Sequence, residues 1–214
     1  MTDSRADDTA SERASEAICG ALAKRGCVVA PGFIAQHEVT ALRAGAQTRH
    51  AAGEFHAARV GRGANAQRDP ALRGDEICWL EAAHATPPER ALLARLDALR
   101  ARLNRALFLG LVELEAHYAC YAPGAGYSRH LDRFRDDDAR VISLVLYLNE
   151  AWRDEDGGEL HLFASADAFV PALAVAPRGG TLVALRSDTI SHEVAPARRE
   201  RWSIAAWLRR RASE

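Results

Sequence analysis

Lysine occurs once in the 214 residues, at Lys24, so nearly all positive charge is arginine. Alongside abundant alanine this reads as the base-composition bias of a GC-rich genome and carries no functional weight. Net charge is nearly absent: 28 basic against 29 acidic side chains give −1, which argues against a nucleic-acid binder that lives on counterion release. Long apolar runs are missing too, and no segment reaches the roughly 18–20 residues of a membrane span. Residues Met1 to Glu16 are polar and acidic, without the apolar stretch of a secretory leader. A cytoplasmic protein with no membrane and no nucleic-acid partner is expected. Cysteine is sparse: Cys19, Cys27, Cys78 and Cys120 form no C-x-x-C pair, which disfavours a disulfide framework or a zinc ribbon. What is present, 48% hydrophobic and 27% charged residues, is ordinary for a globular chain of this length.

The first ten residues read as a frayed tail and 11–214 as a single domain, with helical support over about 11–110 and a β core over about 113–208. Apolar residues at Ala14, Ala17, Ile18, Ala21 and Leu22 predict a helix ending at Gly26. A strand at Cys27 to Ala30 follows, then a helix from about Ala35 to Ala51 carried by Val39, Leu42 and Ala46. Gly61 to Asp75 has loop composition. Pro87-Pro88-Glu89 opens the clearest helix, with Leu92, Leu93, Leu96, Leu99, Leu103 and Leu107 stepping by three and four until Gly110. Eight strands are expected beyond it: Glu113–Tyr121, Tyr127–His130, Arg140–Asn149, Gly158–Phe163, Leu173–Val175, Thr181–Leu185, Ile190–Val194 and Arg201–Leu208. Within 140–149, Ile142, Leu144, Leu146 and Leu148 share a face suited to packing on helices, while Ser143, Val145 and Tyr147 share one that can line a cavity. The fold class is α+β, mainly β: a barrel or sandwich buttressed by N-terminal helices.

Of eight histidines, His37, His50, His56 and His84 read as surface residues, and His117 and His161 as strand residues of a core or cavity wall. His130-Leu131-Asp132 is the one His-x-Asp, placed where a strand ends, with both side chains on one side. His192 supplies a third ligand. Two histidines and a carboxylate with open positions form the facial triad of non-haem Fe(II) oxygenases, with zinc as the competing metal. Arg201 separates the two. In Arg201-Trp202-Ser203-Ile204-Ala205-Ala206-Trp207, the residues Arg201, Ser203, Ala205 and Trp207 share one face. An arginine pointing into a barrel needs a partner; Glu159 or Asp188 could provide one, but the distal carboxylate of 2-oxoglutarate fits better.

The stretch Cys120-Tyr121-Ala122-Pro123-Gly124-Ala125-Gly126-Tyr127-Ser128-Arg129-His130-Leu131-Asp132 resembles the prolyl 4-hydroxylase-domain enzymes of the hypoxia-sensing type. So do Tyr147-Leu148-Asn149, Gly157-Gly158-Glu159-Leu160, His192-Glu193-Val194 followed by Arg201, and Leu72 to Leu80; the likeness spans about Ala14 to Leu208. It implies a double-stranded β-helix (jelly-roll, cupin-like) and an enzyme using Fe(II), 2-oxoglutarate and O2, with ascorbate as a reductant. Carried over, His130, Asp132 and His192 bind iron, Arg201 and Tyr147 hold the distal carboxylate, and Tyr121 is a further cosubstrate contact. Arg140, Leu160 and Trp207 border the substrate proline, while Arg73 to Trp79, with Arg73 and Trp79 as contacts, border a mobile loop that closes over a peptide. The implied partner is a protein or peptide bearing a target proline, with elongation factor Tu a known substrate of bacterial members; a monomer suffices for these roles. Two departures stand out: Ala205 replaces a threonine of the animal members, and the loop Arg133 to Asp138 is longer and more charged. Competing readings are a hydroxylase of a free amino acid or small metabolite, a non-catalytic metal-binding cupin-like module, and a zinc hydrolase using His161 or Glu193 as base.

Overall fold

The apolar periodicities place three helices ahead of the β core. The computed structural model describes residues 15–61, 67–133, 139–165 and 167–211; the expected tail at 1–10 lies outside them. Helix α1 is described over 15–25 and stops at Gly26, whose φ of 71° is costly for any other residue. Helix α2 spans Gln36–Ala51, and Glu38 accepts the Ala35 N–H at 2.8 Å to satisfy a free donor of its first turn. Helix α3 spans Pro87–Leu107, and Glu89 likewise accepts the Thr86 N–H at 2.7 Å. It ends three residues before the expected Gly110, because Phe108 turns left-handed with its N–H on Asn104 O.

Among the described residues eleven strands follow or interleave: β1 Cys27–Ala30, β2 His56–Ala57, β3 Asp75–Trp79, β4 Glu113–Tyr121, β5 Tyr127–His130, β6 Arg140–Tyr147, β7 Leu160–Phe163, β8 Leu173–Val175, β9 Leu182–Arg186, β10 Ser191–Val194 and β11 Arg201–Arg209. They form a seven-stranded sheet, β1-β9-β6-β11-β4-β3-β2, facing a four-stranded one, β5-β10-β7-β8, with antiparallel pairing throughout both. This is the double-stranded β-helix with helical buttress. Strands β2 and β3 correct the sequence reading, which placed none there. Asp-Glu-Ile-Cys-Trp opens on two acids, and it is the antiparallel pairing of all five residues with β4 that makes it a strand.

Two apolar layers follow from the alternation. Ile142, Leu144, Leu146 and Leu148 of the β6 segment, with Trp202, Ile204, Ala206 and Leu208 of β11, meet Leu92, Leu96, Leu99 and Leu103 of α3 and Val39 and Leu42 of α2. Between the sheets lie Ala119, Tyr121, Tyr147, Leu160, Leu162, Val183 and Val194. Asn149 closes the turn after β6, accepting the Trp202 N–H at 2.7 Å and donating to Pro177 O at 2.7 Å.

One charged group crosses the helical layer. Glu89 is 1% exposed, takes Arg49 through both carboxylate oxygens at 3.1 Å, and accepts the Tyr118 hydroxyl at 3.1 Å. Burial alone would raise its pKa, but the bonds from Arg49 and Thr86 outweigh it and hold it below the ordinary 4.5. Its stabilisation is therefore complete above pH 4.5 and is lost as pH falls through the lower folded-state value. Glu89→Ala, which strands Arg49 and Tyr118, is expected to cost about 3 kcal/mol in urea unfolding at neutral pH, with a smaller difference in acid.

Candidate active site

Register assembles the site. His130 ends β5 and sits directly opposite His192 of β10, and Asp132 lies two residues further on. A Cβ at Gly126 would stand 2.6 Å from Val194 O, so glycine permits the close approach of the segment entering β5 to the end of β10. The ligand atoms of His130, Asp132 and His192 lie within 4.8 Å of one another. His130 Nε2 is 3.7 Å from Asp132 Oδ1, and His192 Nε2 is 3.5 Å from Oδ2. Each imidazole is turned by its own backbone: His130 Nδ1 donates to Ser128 O at 2.7 Å and His192 Nδ1 to Ile190 O at 3.2 Å. Both Nε2 lone pairs are thereby left to face the carboxylate, which is how histidine ligands of a metal are oriented.

Electrostatics agree. Burial would raise Asp132, yet the charges of His192 and His130 and hydrogen bonding from His130 and Ser143 hold it well below the usual carboxylate range. Burial lowers His192, which favours its neutral, ligating form, although Asp132 opposes this.

On the cavity face of the large sheet, side chains from neighbouring strands stand in rows. Asp75, Tyr121 and Arg201 form one; Ile77, Ala119, Ser203 and Tyr147 the next; then Trp79, His117, Ala205 and Val145; then Glu115, Trp207 and Ser143. A cavity of about 180 Å³ lies over these rows and reaches the His130, Asp132 and His192 cluster. Arg201 is at its inner end, 1% exposed. Its Nε donates to Gly158 O at 2.9 Å, and Nη1 lies 3.5 Å from Ser203 Oγ. Gly158 has φ 74°, and a Cβ there would stand 2.8 Å from the Ala197 Cβ and 3.3 Å from the arginine's Cδ. Arg201 Nη2 and Tyr147 Oη are buried and lack hydrogen-bond partners; the guanidinium carbon lies 5.1 Å from the Tyr147 ring and 5.2 Å from that of Tyr121. Burial pushes the Tyr147 phenol up to about 12, the Arg201 charge opposing it. The acids weighed as partners are elsewhere: Asp188 pairs with Arg133 and Arg186, and among the described residues no carboxylate pairs with Arg201. A buried guanidinium with no carboxylate partner and one unbonded nitrogen, beside a three-ligand cluster, fits a diacid bridging the two.

Leu160, Trp207 and Arg140 line the cavity, as does Arg73; Trp79 does not, but lines the groove that continues from it past Ile77, His117, Arg140 and Trp207. Tyr147 is fully buried between the sheets, beside Ser203, and is not among the residues that line the cavity. Both arginines are already paired: Arg73 holds Asp75 through two bonds at 2.7 and 3.0 Å, and Arg140 holds Glu115 at 2.8 Å while lying 3.7 Å over the Trp207 ring. His161 and Glu193 bond to each other at 2.9 Å and line a different pocket, on the other side of the small sheet. They cannot serve as base for a metal at His192, which removes the hydrolase argument. Of the loop after Gly61, residues 62–66 lie outside the described part, as do 134–138 of the charged loop. Sequence reasoning missed Tyr127, whose ring stacks on His130 at 3.6 Å with Arg73 over it at 4.8 Å. It also missed Asp75, and it left His117 as a wall residue. Tyr127 sat three positions before His130, the one available signal.

Fold and site together define an Fe(II)- and 2-oxoglutarate-dependent oxygenase. A profile of the 2OG-Fe(II) oxygenase superfamily matches residues 116–209. A Pseudomonas putida prolyl-4-hydroxylase is 43% identical with a TM-score of 0.81, over 92% of this chain and 99% of that one. A prolyl hydroxylase from Trichoplax adhaerens, solved with a peptide fragment of the hypoxia inducible factor oxygen degradation domain, is 26% identical with a TM-score of 0.85, over 97% of this chain and 94% of that one. A prolyl 4-hydroxylase of Phytophthora capsici shares the fold, at 24% identity and TM-score 0.67, over 94% and 65% of the respective chains. This chain belongs to the prolyl 4-hydroxylase-domain family of Fe(II)- and 2-oxoglutarate-dependent oxygenases. It is a dioxygenase whose cosubstrates are 2-oxoglutarate and O2. Among the described residues no helix is long and apolar enough to cross a membrane.

Proposed function

We propose that this enzyme hydroxylates a prolyl residue within a protein, with elongation factor Tu as the first substrate to try. The observation that carries the peptide reading is the state of the charged side chains lining the cavity. A free amino acid brings an ammonium that needs a carboxylate, yet of the two acids lining the cavity Asp75 is committed to Arg73 and Asp132 belongs to the metal cluster; Arg140 is likewise held by Glu115, and Arg59 is the exposed cation at the edge. Apart from Arg59, indole faces and aliphatic wall remain there, in the form of Trp207, Trp79, Leu160 and Ile77. Such a surface suits an uncharged proline ring and the chain on either side of it.

In this reading His130, Asp132 and His192 hold the metal through Nε2, Oδ and Nε2. Arg201 and Tyr147 take the distal carboxylate, with Tyr121 beside them. Iron and 2-oxoglutarate, when bound, would let O2 act as the oxidant: one of its oxygen atoms turns the substrate C–H into C–OH and the other is taken up as 2-oxoglutarate loses CO2 to become succinate. The chain places the substrate and keeps water out. Leu160 and Trp207 flank the ring, Arg140 fixes the Trp207 indole through its cation–π contact, and Arg73 and Trp79 border the outgoing peptide. Incubation with Fe(II), 2-oxoglutarate and either elongation factor Tu or proline-containing peptides is expected to add the mass of one oxygen atom to proline. Uptake by free proline and by no peptide would overturn the reading.

Tyr147→Phe offers an independent check with opposite signs in two measurements. Removing a buried hydroxyl that has no partner leaves the ligand-free protein equally stable or more stable by about 1 kcal/mol in thermal unfolding. It is expected to weaken 2-oxoglutarate binding about tenfold, the value of one hydrogen bond to a charged group.

A further inference from the structure

One row on the cavity floor contains a single polar side chain. Trp79, His117, Ala205 and Val145 stand side by side on β3, β4, β11 and β6, and His117 is 1% exposed. Its Nδ1 donates to Tyr118 O at 3.0 Å, so in the neutral ring the lone pair sits on Nε2. Among the described residues nothing donates to that atom. The ring itself is wedged: the Trp79 indole stands edge-on at 5.0 Å and 83°, and the Trp207 indole at 5.3 Å and 50°. Ala205, its cross-strand neighbour, fills little of the space beside it. His117 lines both the cavity and the groove that leads out of it. Burial above all, helped by Arg73 and against the pull of Asp75, holds its pKa at about 4, so at neutral pH the ring is an acceptor only on its free side.

An orientation-locked acceptor without a donor on the wall of a substrate cavity calls for a donor on the ligand. The dianion 2-oxoglutarate has neither N–H nor O–H to offer. Proline has no backbone N–H within a chain, so the nearest donors are the N–H groups of the residues before and after it. We propose that His117 Nε2 accepts one of these flanking backbone N–H groups and so sets the register of the peptide in the cavity; this rests on the prolyl-peptide reading above.

Single-atom replacement in the peptide tests it. In a peptide that the wild-type enzyme hydroxylates, the residue on each side of the proline is exchanged in turn for its α-hydroxy acid, which turns the N–H into an ester oxygen. Binding to the anaerobic holoenzyme with Fe(II) and 2-oxoglutarate is followed by fluorescence anisotropy. One of the two ester peptides is expected to bind wild type about three- to tenfold more weakly than its parent. In His117→Leu the parent and ester peptides should bind alike, and in His117→Gln, which keeps an acceptor near the Nε2 position, the discrimination should return. Equal binding of parent and both esters to wild type overturns the inference, and that comparison needs no variant to fold. So does discrimination that survives in His117→Leu, as it would if the esters perturb the peptide alone or if Nε2 serves only a bound water. Should no peptide take up oxygen at all, the prolyl reading itself has failed, a result distinct from these and reached before any ester is made.

Discussion

Replacing Asp132 by alanine is expected to lower Fe(II) affinity by roughly 100-fold or more and to abolish succinate production. Removal of mere supporting hydrogen bonds around a metal ligand already costs 10–100-fold, so loss of the ligand itself belongs at or beyond the upper end. Asp132 is the one carboxylate of the cluster, set between two imidazoles whose centroids are 4.3 Å apart. Without it the site offers two neutral nitrogens to a dication, and the charge that compensates dehydration of the ion is gone. Asp132→Asn is expected to fall between alanine and wild type, because an amide oxygen can ligate but brings no charge. Metal titration read by calorimetry separates this from unfolding, since the core layers of Leu96, Leu103, Ile204 and Leu208 do not depend on Asp132. Wild-type metal affinity in Asp132→Ala would mean that the cluster is not the iron site.

What could be read beforehand follows from how far each feature reaches along the chain. Strands β4, β5 and β8 stood at their observed bounds in the sequence because alternation is local, and the two faces of β6 and β11 separated for the same reason. The convergence of His130 and Asp132 was legible at a spacing of two, and His192 and Arg201 were legible as residue types that such a site requires. Strand β3 was not, since it opens on two acids and becomes a strand only by pairing with β4, which lies far along the chain. The pairing of Arg140 with Glu115 lay equally out of reach: 25 residues separate them, and it is the meeting of β6 and β4 on either side of β11 that brings them together. For the same reason His117 looked like any strand histidine. Its chemistry comes from neighbours on β3 and β11, whose register no single stretch of sequence encodes.

Arg201 carries the second large effect. A buried guanidinium that keeps one nitrogen without a partner is costly in the ligand-free protein, so a pocket that retains it must recover that cost on binding an anion. Arg201→Leu removes a charge-assisted grip, which at about 3–4 kcal/mol corresponds to a roughly 10²–10³-fold rise in the Kd for 2-oxoglutarate. Arg201→Lys keeps the charge but not the planar fork, and it cannot reproduce the 2.9 Å bond to Gly158 O together with a grip on the ligand. Its expected loss is intermediate, about 10–100-fold. Meanwhile the ligand-free Arg201→Leu protein is expected to unfold at the same temperature as wild type or higher, because an uncompensated buried charge has been exchanged for a hydrocarbon of similar reach. Opposite movements of stability and affinity distinguish a residue retained for a ligand from one retained for the fold. A ligand-free Arg201→Leu protein that melts well below wild type, with 2-oxoglutarate affinity unchanged, would show that the arginine is there to hold Gly158 and the β7 turn in place and that the diacid binds elsewhere.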